Sequence, residues 1–366
     1  MECVPNNCSQ TDWQKVDWWL AIFLMLEGWH ERIWEKVHGC IHSYSFRLKG
    51  WDTRAWDHAW VNRIAIFLRK WVIMENEWDD ALARPIPSAK LTLTHDVDAV
   101  KKTIPIRFKQ GSFNLFNVLK LSSIGKIVEA AYTFRNALRM IFGQGDWNEF
   151  DELLQMEANA GVSAVFHFYA DDRRKNIKRW LFDPGYDISS EELKTLIFRL
   201  RDDGHEIGLH PAFDAWRDSE LIANQRKILE KNIGSSILSC RQHWLRFSWE
   251  KTWGAQSKGG VKKDSTLMFN DRPGFRNSTC LSWNPWNPKD SKPHPLSSIN
   301  SILMDSHLYD YRSFTEKDRN AEITRWTREC RAVGGDCCFL WHPHTLNEEY
   351  GWRAGFEFLL KELSEK

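Results

Sequence analysis

The stretch KLTLTHDVDAV, residues 90–100, decides how the rest of the chain is interpreted. Leucine and threonine alternate in its first half, and an alternation of period two is typical of a β-strand. The predicted strand ends at His95 and Asp96, and Asp98 lies two residues further on. Two carboxylates and an imidazole within four residues, at the end of a buried strand, indicate that this strand end has a function.

The chain beyond residue 89 predicts an α/β fold, because strand patterns alternate there with helical patterns. The spacing suits β-α units. Further strands are predicted at 163–169, 205–210, 239–244, 301–306 and 337–342, and helices at 147–160, 190–203 and 218–232.

The first 88 residues predict a helical region, with helices at 11–36 and 53–83. The stretch RPIPS, residues 84–88, contains two prolines and is typical of a linker. We therefore expect a helical N-terminal region at 1–88 and an α/β domain at 89–366. The apolar run WWLAIFLML, residues 18–26, is far shorter than the roughly 20 residues that cross a bilayer. It predicts a buried helix, and no secretory signal is recognised.

Residues 101–145 form a basic helical insertion in this scheme. Lysine and arginine far outnumber the single acid, Glu129, and the apolar residues recur at helical spacing. A basic amphipathic helix can lie on a membrane surface or cover an anionic ligand. The alternative is that its apolar face packs on the barrel while its lysines are solvated.

The composition excludes several classes of protein. Lys and Arg number 50 and Asp and Glu 49, and no basic aromatic module indicates a nucleic-acid partner. The eight cysteines show no CxxC spacing, so they predict reduced thiols in a cytoplasmic protein rather than a zinc knuckle or a thioredoxin-type pair. The sequence contains no GxSxG motif, which argues against a serine esterase, and no P-loop or GxGxxG follows a predicted strand.

Four predicted strands end in ionisable side chains, and in β-α folds chemistry collects at the carboxyl ends of strands. Asp and His side chains bind Zn²⁺ and neighbouring transition ions. A free carboxylate beside the metal can take a proton from water, and a histidine opposite can donate one. The pattern therefore predicts a hydrolase with a metal, a base and an acid. The four stretches are THDVD (94–98), GHEIGLHPAFD (204–214), CRQHWLRF (240–247) and LWHPHTL (340–346).

These stretches resemble the motifs of the polysaccharide deacetylase superfamily, over residues 89 to about 345. The resemblance implies an irregular (β/α) barrel of seven or eight strands. It also implies removal of N- or O-acyl groups from sugars with one divalent metal, zinc first and cobalt, nickel or manganese as alternatives. The first 88 residues resemble the helical segment that precedes this domain in a bacterial subgroup linked to surface-glycan gene clusters.

Carried over residue by residue, the resemblance assigns Asp96 as the general base. It assigns Asp98 and His210 as metal ligands. The motif's second histidine is replaced by Asp214, so Asp214 is one candidate for the third ligand. His243, which stands where the motif has proline, is the other candidate, and the resemblance does not decide between them.

The remaining motifs supply the other predicted site residues. Arg241 would hold Asp96 ionised by a charge-assisted hydrogen bond. The backbone N–H of Trp244 would polarise the oxyanion. His342 would be the general acid, with Trp341 lining an acyl pocket and His344 a neighbour or supporting partner.

The weakest motif is NDRPGFRNSTC, residues 270–280. In it, Asp271 or Arg276 would orient catalytic groups or bind substrate. The nearby WNPWNP, residues 283–288, predicts either an aromatic platform for a sugar or a proline-rich surface loop.

The predicted function is metal-dependent hydrolysis of an acyl group from an amino sugar or sugar ester. The expected setting is the assembly of lipopolysaccharide, O-antigen or capsule in a bacterial cytoplasm, with a glycan or sugar precursor as partner. One alternative is an inactive, glycan-binding protein of the same fold, because the second metal histidine is replaced. The other alternative is hydrolysis of a non-sugar amide.

Overall fold

The computed structural model describes residues 13–75, 84–123, 125–143 and 147–365. Ten strands lie in this part of the chain: β1 (Lys90–Val97), β2 (Ala164–Phe168), β3 (Glu206–Leu209), β4 (Ser239–Cys240), β5 (Lys263–Asp264), β6 (Trp286–Asn287), β7 (Lys292–Pro293), β8 (Ser297–Ser298), β9 (Ser301–Met304) and β10 (Asp336–Leu340).

Thirteen α-helices lie in the same described ranges: α1 (Trp18–Leu26), α2 (Trp29–His38), α3 (Trp60–Glu75), α4 (Ile104–Ser123), α5 (Ile127–Phe142), α6 (Phe150–Ala160), α7 (Ile177–Phe182), α8 (Glu191–Asp202), α9 (Ser219–Ile233), α10 (Thr252–Lys258), α11 (Asp305–Tyr309), α12 (Glu316–Ala332) and α13 (Arg353–Ser364). Short 3₁₀ helices are formed by Trp13–Lys15, Ser45–Arg47, Thr53–Trp56, Ala215–Arg217, His243–Leu245 and Pro343–Leu346.

Eight strands form one parallel sheet in the order β8-β5-β4-β3-β2-β1-β10-β9. The outermost strands, β8 and β9, are separated in the chain by only Ile299 and Asn300. The sheet must therefore curl until its edges approach each other, which gives an open barrel surrounded by helices. This confirms the predicted α/β fold with an irregular, eight-stranded barrel. Strands β6 and β7 form a separate antiparallel pair.

Strand β1 lies in the middle of the sheet, and its second half, from Leu93 to Val97, is buried on both faces. Burial on both faces is typical of parallel sheets, since helices cover the outside and side chains fill the inside. The surrounding helices each contribute an apolar face. Leu153 of α6, Ile197 of α8 and Phe356 of α13 are at most 1% exposed in this core.

The predicted helix at 11–36 is interrupted in the structure. Helix α1 ends at Leu26 and α2 begins at Trp29, with Gly28 between them at a φ of +53°. A Cβ on Gly28 would lie 2.1 Å from the Trp249 indole, so the backbone angle and the close contact both require glycine. The prediction that α1 is buried is wrong, since none of its residues is buried and Trp19 is 77% exposed.

Other boundaries also differ from the sequence predictions. The helix predicted at 53–83 begins at Trp60, after a 3₁₀ turn, and residues 76–83 lie outside the described part of the chain. The strand predicted at 239–244 covers only Ser239–Cys240. Strands β5 and β8 are two residues long and leave no periodic pattern that a sequence can show.

The N-terminal helices contact the long segment between β5 and β6. Arg276 of this segment is buried, and its Nη2 donates a hydrogen bond of 2.7 Å to Glu31 of α2. Asn62 of α3 accepts a hydrogen bond of 2.9 Å from the Cys280 backbone N–H. These buried polar contacts join the two parts of the chain, and a domain boundary at 84–88 stays a prediction.

The basic insertion is a helical hairpin of α4 and α5. The helices pack closely, since a Cβ on Gly111 would lie 2.3 Å from a side-chain carbon of Ile141. Lys102 is buried before α4, and its ammonium contacts the Glu349 carboxylate at 2.5 Å, which fixes the base of the hairpin. The hairpin exposes apolar side chains, so its apolar face is only partly covered: Ile104, Phe108, Leu115, Phe116, Leu119, Ile127, Val128, Phe134, Leu138 and Phe142. Within the described ranges, none of the helices has the length and apolarity needed to cross a membrane.

Candidate active site

The candidate active site lies at the carboxyl ends of neighbouring parallel strands. Strands β4, β3, β2, β1, β10 and β9 are consecutive in the sheet, so the residues that end or follow them meet at one rim. His95 is not part of this rim, since its ring is fully buried and contacts the Trp341 carbonyl and Glu157. The rim residues are Asp96, Asp98, His210, Arg241, His243, Asp305 and His342.

Asp98, His210 and His243 offer three ligand atoms that lie within 4.8 Å of one another. Asp98 Oδ1 is 3.4 Å from His210 Nε2 and 3.3 Å from His243 Nδ1. The two imidazole nitrogens are 2.7 Å apart. The Asp98 side chain is 33% exposed while both rings are buried, so the cluster opens to solvent on the Asp98 side.

The hydrogen bonds of the two rings leave a place for a cation. His210 Nδ1 donates to the Arg241 carbonyl at 2.7 Å, and His243 Nε2 donates to the Phe182 carbonyl at 2.5 Å. In neutral rings, the two facing nitrogens therefore carry lone pairs. They point toward each other and toward Asp98 Oδ1, a buried oxygen without a hydrogen-bond partner among the described residues. A divalent ion fits this set of one carboxylate and two imidazoles.

Asp96 is held ionised beside this cluster. Its Oδ1 lies 3.2 Å from Arg241 Nη1 and 3.4 Å from His167 Nδ1, and the residue is 3% exposed. Burial alone would raise the pKa of Asp96, but the interactions that oppose burial, of which the Arg241 guanidinium is the largest, lower that pKa well below its usual range. Arg241 is fixed in turn, since its Nη2 donates to Ser301 Oγ at 2.8 Å.

His342 faces the cluster from β10 and is oriented by Asp305. Its Nδ1 donates to Asp305 Oδ1 at 2.9 Å, and its backbone N–H donates to Asp305 Oδ2 at 2.8 Å. Its Nε2 lies 3.7 Å from Asp98 Oδ2. Burial lowers the pKa of His342, but the carboxylates of Asp305 and Asp98 outweigh burial and raise this pKa to about 10. These carboxylates therefore favour the protonated ring.

Asp214 lies away from the cluster. Its carboxylate accepts hydrogen bonds of 2.9 and 3.2 Å from Arg173, which also binds the buried Asp171 at 2.7 Å. Of the two predicted candidates for the third ligand, the structure brings His243, and not Asp214, beside Asp98 and His210. The carboxylate of Asp214 instead neutralises an arginine.

Two predicted substrate-binding residues contact the N-terminal region instead of the rim. Asp271 accepts hydrogen bonds of 2.8 Å from both the backbone N–H and the hydroxyl of Ser45. Arg276 is 1% exposed and binds Glu31. Both side chains are therefore engaged in holding the N-terminal region. In the nearby WNPWNP stretch, the Trp286 backbone N–H donates to Glu27 at 3.0 Å.

Trp341 and His344 flank His342 but are both buried. The Trp341 ring is 1% exposed and packs in the core beside Tyr309 and Phe356. The His344 ring lies 5.8 Å from the His342 ring, and His344 is 9% exposed. The structure therefore shows no opening to solvent at Trp341, where the sequence predicts an acyl pocket.

The turn after β4 presents an aromatic surface beside His243. Trp244 and Leu245 have φ angles of +57° and +47°, a region that side-chain-bearing residues rarely adopt, so this turn is strained. Trp244 is 37% exposed, and its ring lies 6.0 Å from Phe182 and 6.4 Å from Phe213. The role of the Trp244 backbone N–H in binding an oxyanion stays a prediction.

The sequence reasoning missed Asp305 and His167. Asp305 follows β9 directly, so the rule that singled out the other strand ends would have found it in SILMDS, residues 301–306. His167 lies inside β2 and pairs in register with Asp96 of β1. Only knowledge of the strand order could have brought His167 to the site, because nothing in its local sequence distinguishes it from a core residue.

Comparisons with known proteins gave matches among solved structures alone. No family model matches the chain, and no curated protein matches it. A proposed polysaccharide deacetylase from Mycobacterium smegmatis is similar at 19% identity and a TM-score of 0.43, over 77% of this chain and 85% of that one. The polysaccharide deacetylase Bc1974 from Bacillus cereus is similar at 12% identity and a TM-score of 0.34, over 76% of this chain and 88% of that one. BA3943 from Bacillus anthracis, a pseudoenzyme of the CE4 family, is similar at 11% identity and a TM-score of 0.32, over 75% and 62% of the two chains.

Proposed function

We propose that the protein is a metal-dependent deacylase of the polysaccharide deacetylase superfamily, which hydrolyses an acyl amide or ester of a sugar. The observation that supports this most is the position of Asp98, His210 and His243 between the ionised Asp96 and the charged His342. A cation site with a carboxylate base and an imidazolium acid beside it contains the groups that acyl hydrolysis requires.

Asp98, His210 and His243 would hold the metal, with zinc as the first candidate and cobalt, nickel or manganese as alternatives. When bound, the metal would act as a Lewis acid that polarises the acyl carbonyl and lowers the pKa of the attacking water. The two rings are oriented in advance, because each donates its other nitrogen's hydrogen to a backbone carbonyl.

Asp96 accepts the proton of the attacking water in this proposal. Its carboxylate is ionised at neutral pH because Arg241 lies 3.2 Å away and is fully buried. Arg241 also donates to Thr94 Oγ1 at 2.7 Å, so its guanidinium cannot leave the carboxylate without losing several buried hydrogen bonds. Arg241 therefore acts as a positioning residue for the base.

His342 donates a proton to the departing amine or alcohol. Asp305 accepts the Nδ1 hydrogen, which leaves the Nε2 hydrogen facing the cluster. Asp305 is fully buried, so its carboxylate keeps the ring both charged and in one orientation. The backbone N–H of Trp244 is our candidate for stabilising the oxyanion.

The aromatic surface formed by Phe182, Phe213 and Trp244 suits a glycan substrate. Sugar rings have apolar faces that stack on aromatic side chains. The Trp244 ring is partly exposed and lies 6.2 Å from the His243 ring, and Phe182 and Phe213 pack beside Trp244. We propose that this surface, rather than the WNPWNP stretch, positions an acylated sugar unit. The biological setting that we propose is the assembly of a bacterial surface polysaccharide such as lipopolysaccharide, O-antigen or capsule.

The test is release of acetate from N- and O-acetylated sugars and glycan precursors by the purified chain with added Zn²⁺, Co²⁺, Ni²⁺ or Mn²⁺. We expect Asp96→Asn to lower the rate by about 10²–10⁴-fold, the usual contribution of a general base, without changing the metal content. His210→Ala should lose metal and activity together. Asp202→Asn, an exposed carboxylate at the end of α8, is the matched control and should keep full activity.

Two outcomes would replace this proposal. A chain that binds glycan but neither retains metal nor releases acetate would be an inactive glycan-binding protein of the same fold. Metal-dependent activity on non-sugar amides alone would keep the roles of Asp96 and His342 and change the substrate class. An Asp96→Asn variant with wild-type rates would remove Asp96 from the mechanism.

A further inference from the structure

Three buried thiols meet at the end of the barrel opposite the candidate active site. Cys280 lies before β6, Cys330 in the last turn of α12 and Cys337 at the start of β10, and all three are fully buried. Their sulfur atoms lie within 4.8 Å of one another, and the Cys330 and Cys337 sulfurs are 3.3 Å apart. His342 follows the other end of β10, five residues after Cys337 and roughly 16 Å away at about 3.3 Å per residue. The cluster is therefore separate from the site described above.

The surrounding backbone fixes the position of these thiols. Cys280 is held by a hydrogen bond from its N–H to Asn62 Oδ1 at 2.9 Å, and its carbonyl accepts one from the Asp336 N–H at 2.8 Å. Gly334 has a φ of +61°, which turns the chain from α12 back into β10 and brings Cys330 close to Cys337.

The cluster has room for Cys280 only because residue 335 is glycine. A Cβ on Gly335 would lie 2.1 Å from the Cys280 sulfur and 2.8 Å from its Cβ. A φ angle in the left-handed region is not the reason for this glycine, since only Gly334 of the pair has one. The absence of a side chain at Gly335 therefore leaves the space that the Cys280 sulfur occupies.

We propose that Cys280, Cys330 and Cys337 bind one Zn²⁺ ion at a structural site. Thiolates are soft ligands that select zinc, copper(I) and iron–sulfur centres. Zn–S bonds of about 2.3 Å in tetrahedral geometry place sulfurs about 3.8 Å apart. The Cys330 and Cys337 sulfurs are 3.3 Å apart, and all three sulfurs lie within 4.8 Å of one another. Among single ions, zinc leaves a smaller net charge than copper(I) on three buried thiolates, so burial favours zinc.

The proposed site would join three parts of the molecule. Cys330 belongs to a surface helix, Cys337 to a central strand, and Cys280 to the segment that contacts α3 through Asn62. An ion there would hold the amino end of β10, whose other end carries His342. The expected role is therefore in stability, and it does not depend on the proposed catalytic function.

Cobalt distinguishes the two candidate sites. Co²⁺ bound to thiolates gives intense near-ultraviolet charge-transfer absorption, whereas Asp98, His210 and His243 contain no sulfur. We expect the full chain, purified under reducing conditions and loaded with Co²⁺, to show this absorption. We expect His210→Ala to keep the absorption and lose one equivalent of metal. If His210→Ala loses activity but keeps the absorption, the thiolate site and the proposed catalytic site are independent, and each proposal can fail without the other.

Variants of the cluster test the ligand set. Cys280→Ser and Cys330→Ser should each lose the absorption and one equivalent of zinc. Cys338→Ser is the matched control, since Cys338 is buried next to Cys337 in β10 but points to the other face of the sheet. If the first two variants do not fold, X-ray absorption on the zinc form of His210→Ala should count three sulfur ligands. A wild-type chain without charge-transfer absorption, or with a Cys330–Cys337 disulfide as isolated, would overturn the proposal.

Discussion

At the scale of single residues, the buried histidines differ in what their ring nitrogens contact. His307 of α11 is 1% exposed; its Nε2 donates to the Phe269 carbonyl at 3.0 Å, and its Nδ1 accepts from the Met304 N–H at 3.2 Å. A neutral ring can make both hydrogen bonds. A second proton, on Nδ1, would point at the Met304 N–H and remove the acceptor of that hydrogen bond. Burial is the main cause that lowers the pKa of His307 to about 3, and the Phe269 carbonyl and Asp305 only partly oppose it.

This shift predicts loss of stability in acid. The unfolded ring titrates near pH 6.5, so the stability that the neutral ring contributes is fully present above that pH. It is lost as the pH falls from about 6.5 toward about 3, by up to about 1.4 kcal/mol per pH unit. Urea unfolding from pH 8 to pH 4 measures this slope. We expect His307→Gln to reduce the slope and the exposed His38→Gln to leave it unchanged, and equal slopes in all three proteins would contradict the assignment.

The sequence could predict most of the candidate site residues and not their partners. Asp96, Asp98, His210 and His342 stand at strand ends, which a local pattern can show. The choice between Asp214 and His243 as the third ligand depends on Arg173, which follows a different strand. Arg173 forms an ion pair with the Asp214 carboxylate, which leaves His243 beside Asp98 and His210. Which side chains a loop residue meets is a property of the folded chain, so spacing alone left this choice open.

At the scale of elements, the hairpin of α4 and α5 combines exposed apolar residues with basic ones. Phe116 and Leu119 of α4 are 65% and 70% exposed, and Val128 of α5 is 81% exposed. Arg135 and Arg139 are exposed on α5. A helical surface with both properties is typical of contact with anionic lipid. We therefore propose that this hairpin rests on the anionic surface of a membrane.

Vesicle binding tests the hairpin. We expect the chain to sediment with phosphatidylcholine vesicles only when they contain phosphatidylglycerol, and to be released by salt. Phe116→Ser and Leu119→Ser should each weaken binding by roughly tenfold or more, because each removes about 1.5–3 kcal/mol of apolar burial. Phe198→Ser, which changes an exposed phenylalanine of α8, is the control. Equal sedimentation with neutral vesicles would contradict binding to anionic lipid. A dimer in solution that the two variants abolish would mean that a second copy of the chain, and not a membrane, covers the hairpin.

The elements that show several repeats of a helical or strand pattern, with no distant contact that interrupts them, were predictable from the sequence. β1 and the helices α8 and α9 match their predictions closely. Each is long enough for its pattern of apolar residues to repeat several times. Strands β5 and β8 consist of two residues each, and they are defined by the neighbours they pair with rather than by their own pattern. The break at Gly28 also has a distant cause, since the Trp249 indole occupies the space of a side chain there.

At the scale of the whole molecule, the N-terminal helices and the barrel share buried charges. Glu31 of α2 is 2% exposed and accepts hydrogen bonds from Arg276 and from the Trp249 indole N–H at 2.7 and 2.9 Å. The Arg276 guanidinium lies over the rings of Phe247 and Phe269. Burial would raise the pKa of Glu31, but Arg276 outweighs burial and lowers it. Neither charge can reach water while the helices stay in place, so each needs the other.

Removal of one partner should therefore destabilise the whole chain and not the N-terminal helices alone. We expect Glu31→Gln and Arg276→Met each to cost about 3–5 kcal/mol of the free energy of unfolding, since each leaves a buried charge unpaired. The double variant should cost less than the sum of the two, because it removes both charges together. The control is the surface pair of Lys263 and Glu206, whose side chains are 51% and 42% exposed and whose removal should cost about 1 kcal/mol or less. Urea unfolding followed by tryptophan fluorescence and by far-ultraviolet circular dichroism should give one shared transition that moves as a unit. Two separate transitions, with only the first shifted by Glu31→Gln, would instead mean that the N-terminal helices unfold independently of the barrel.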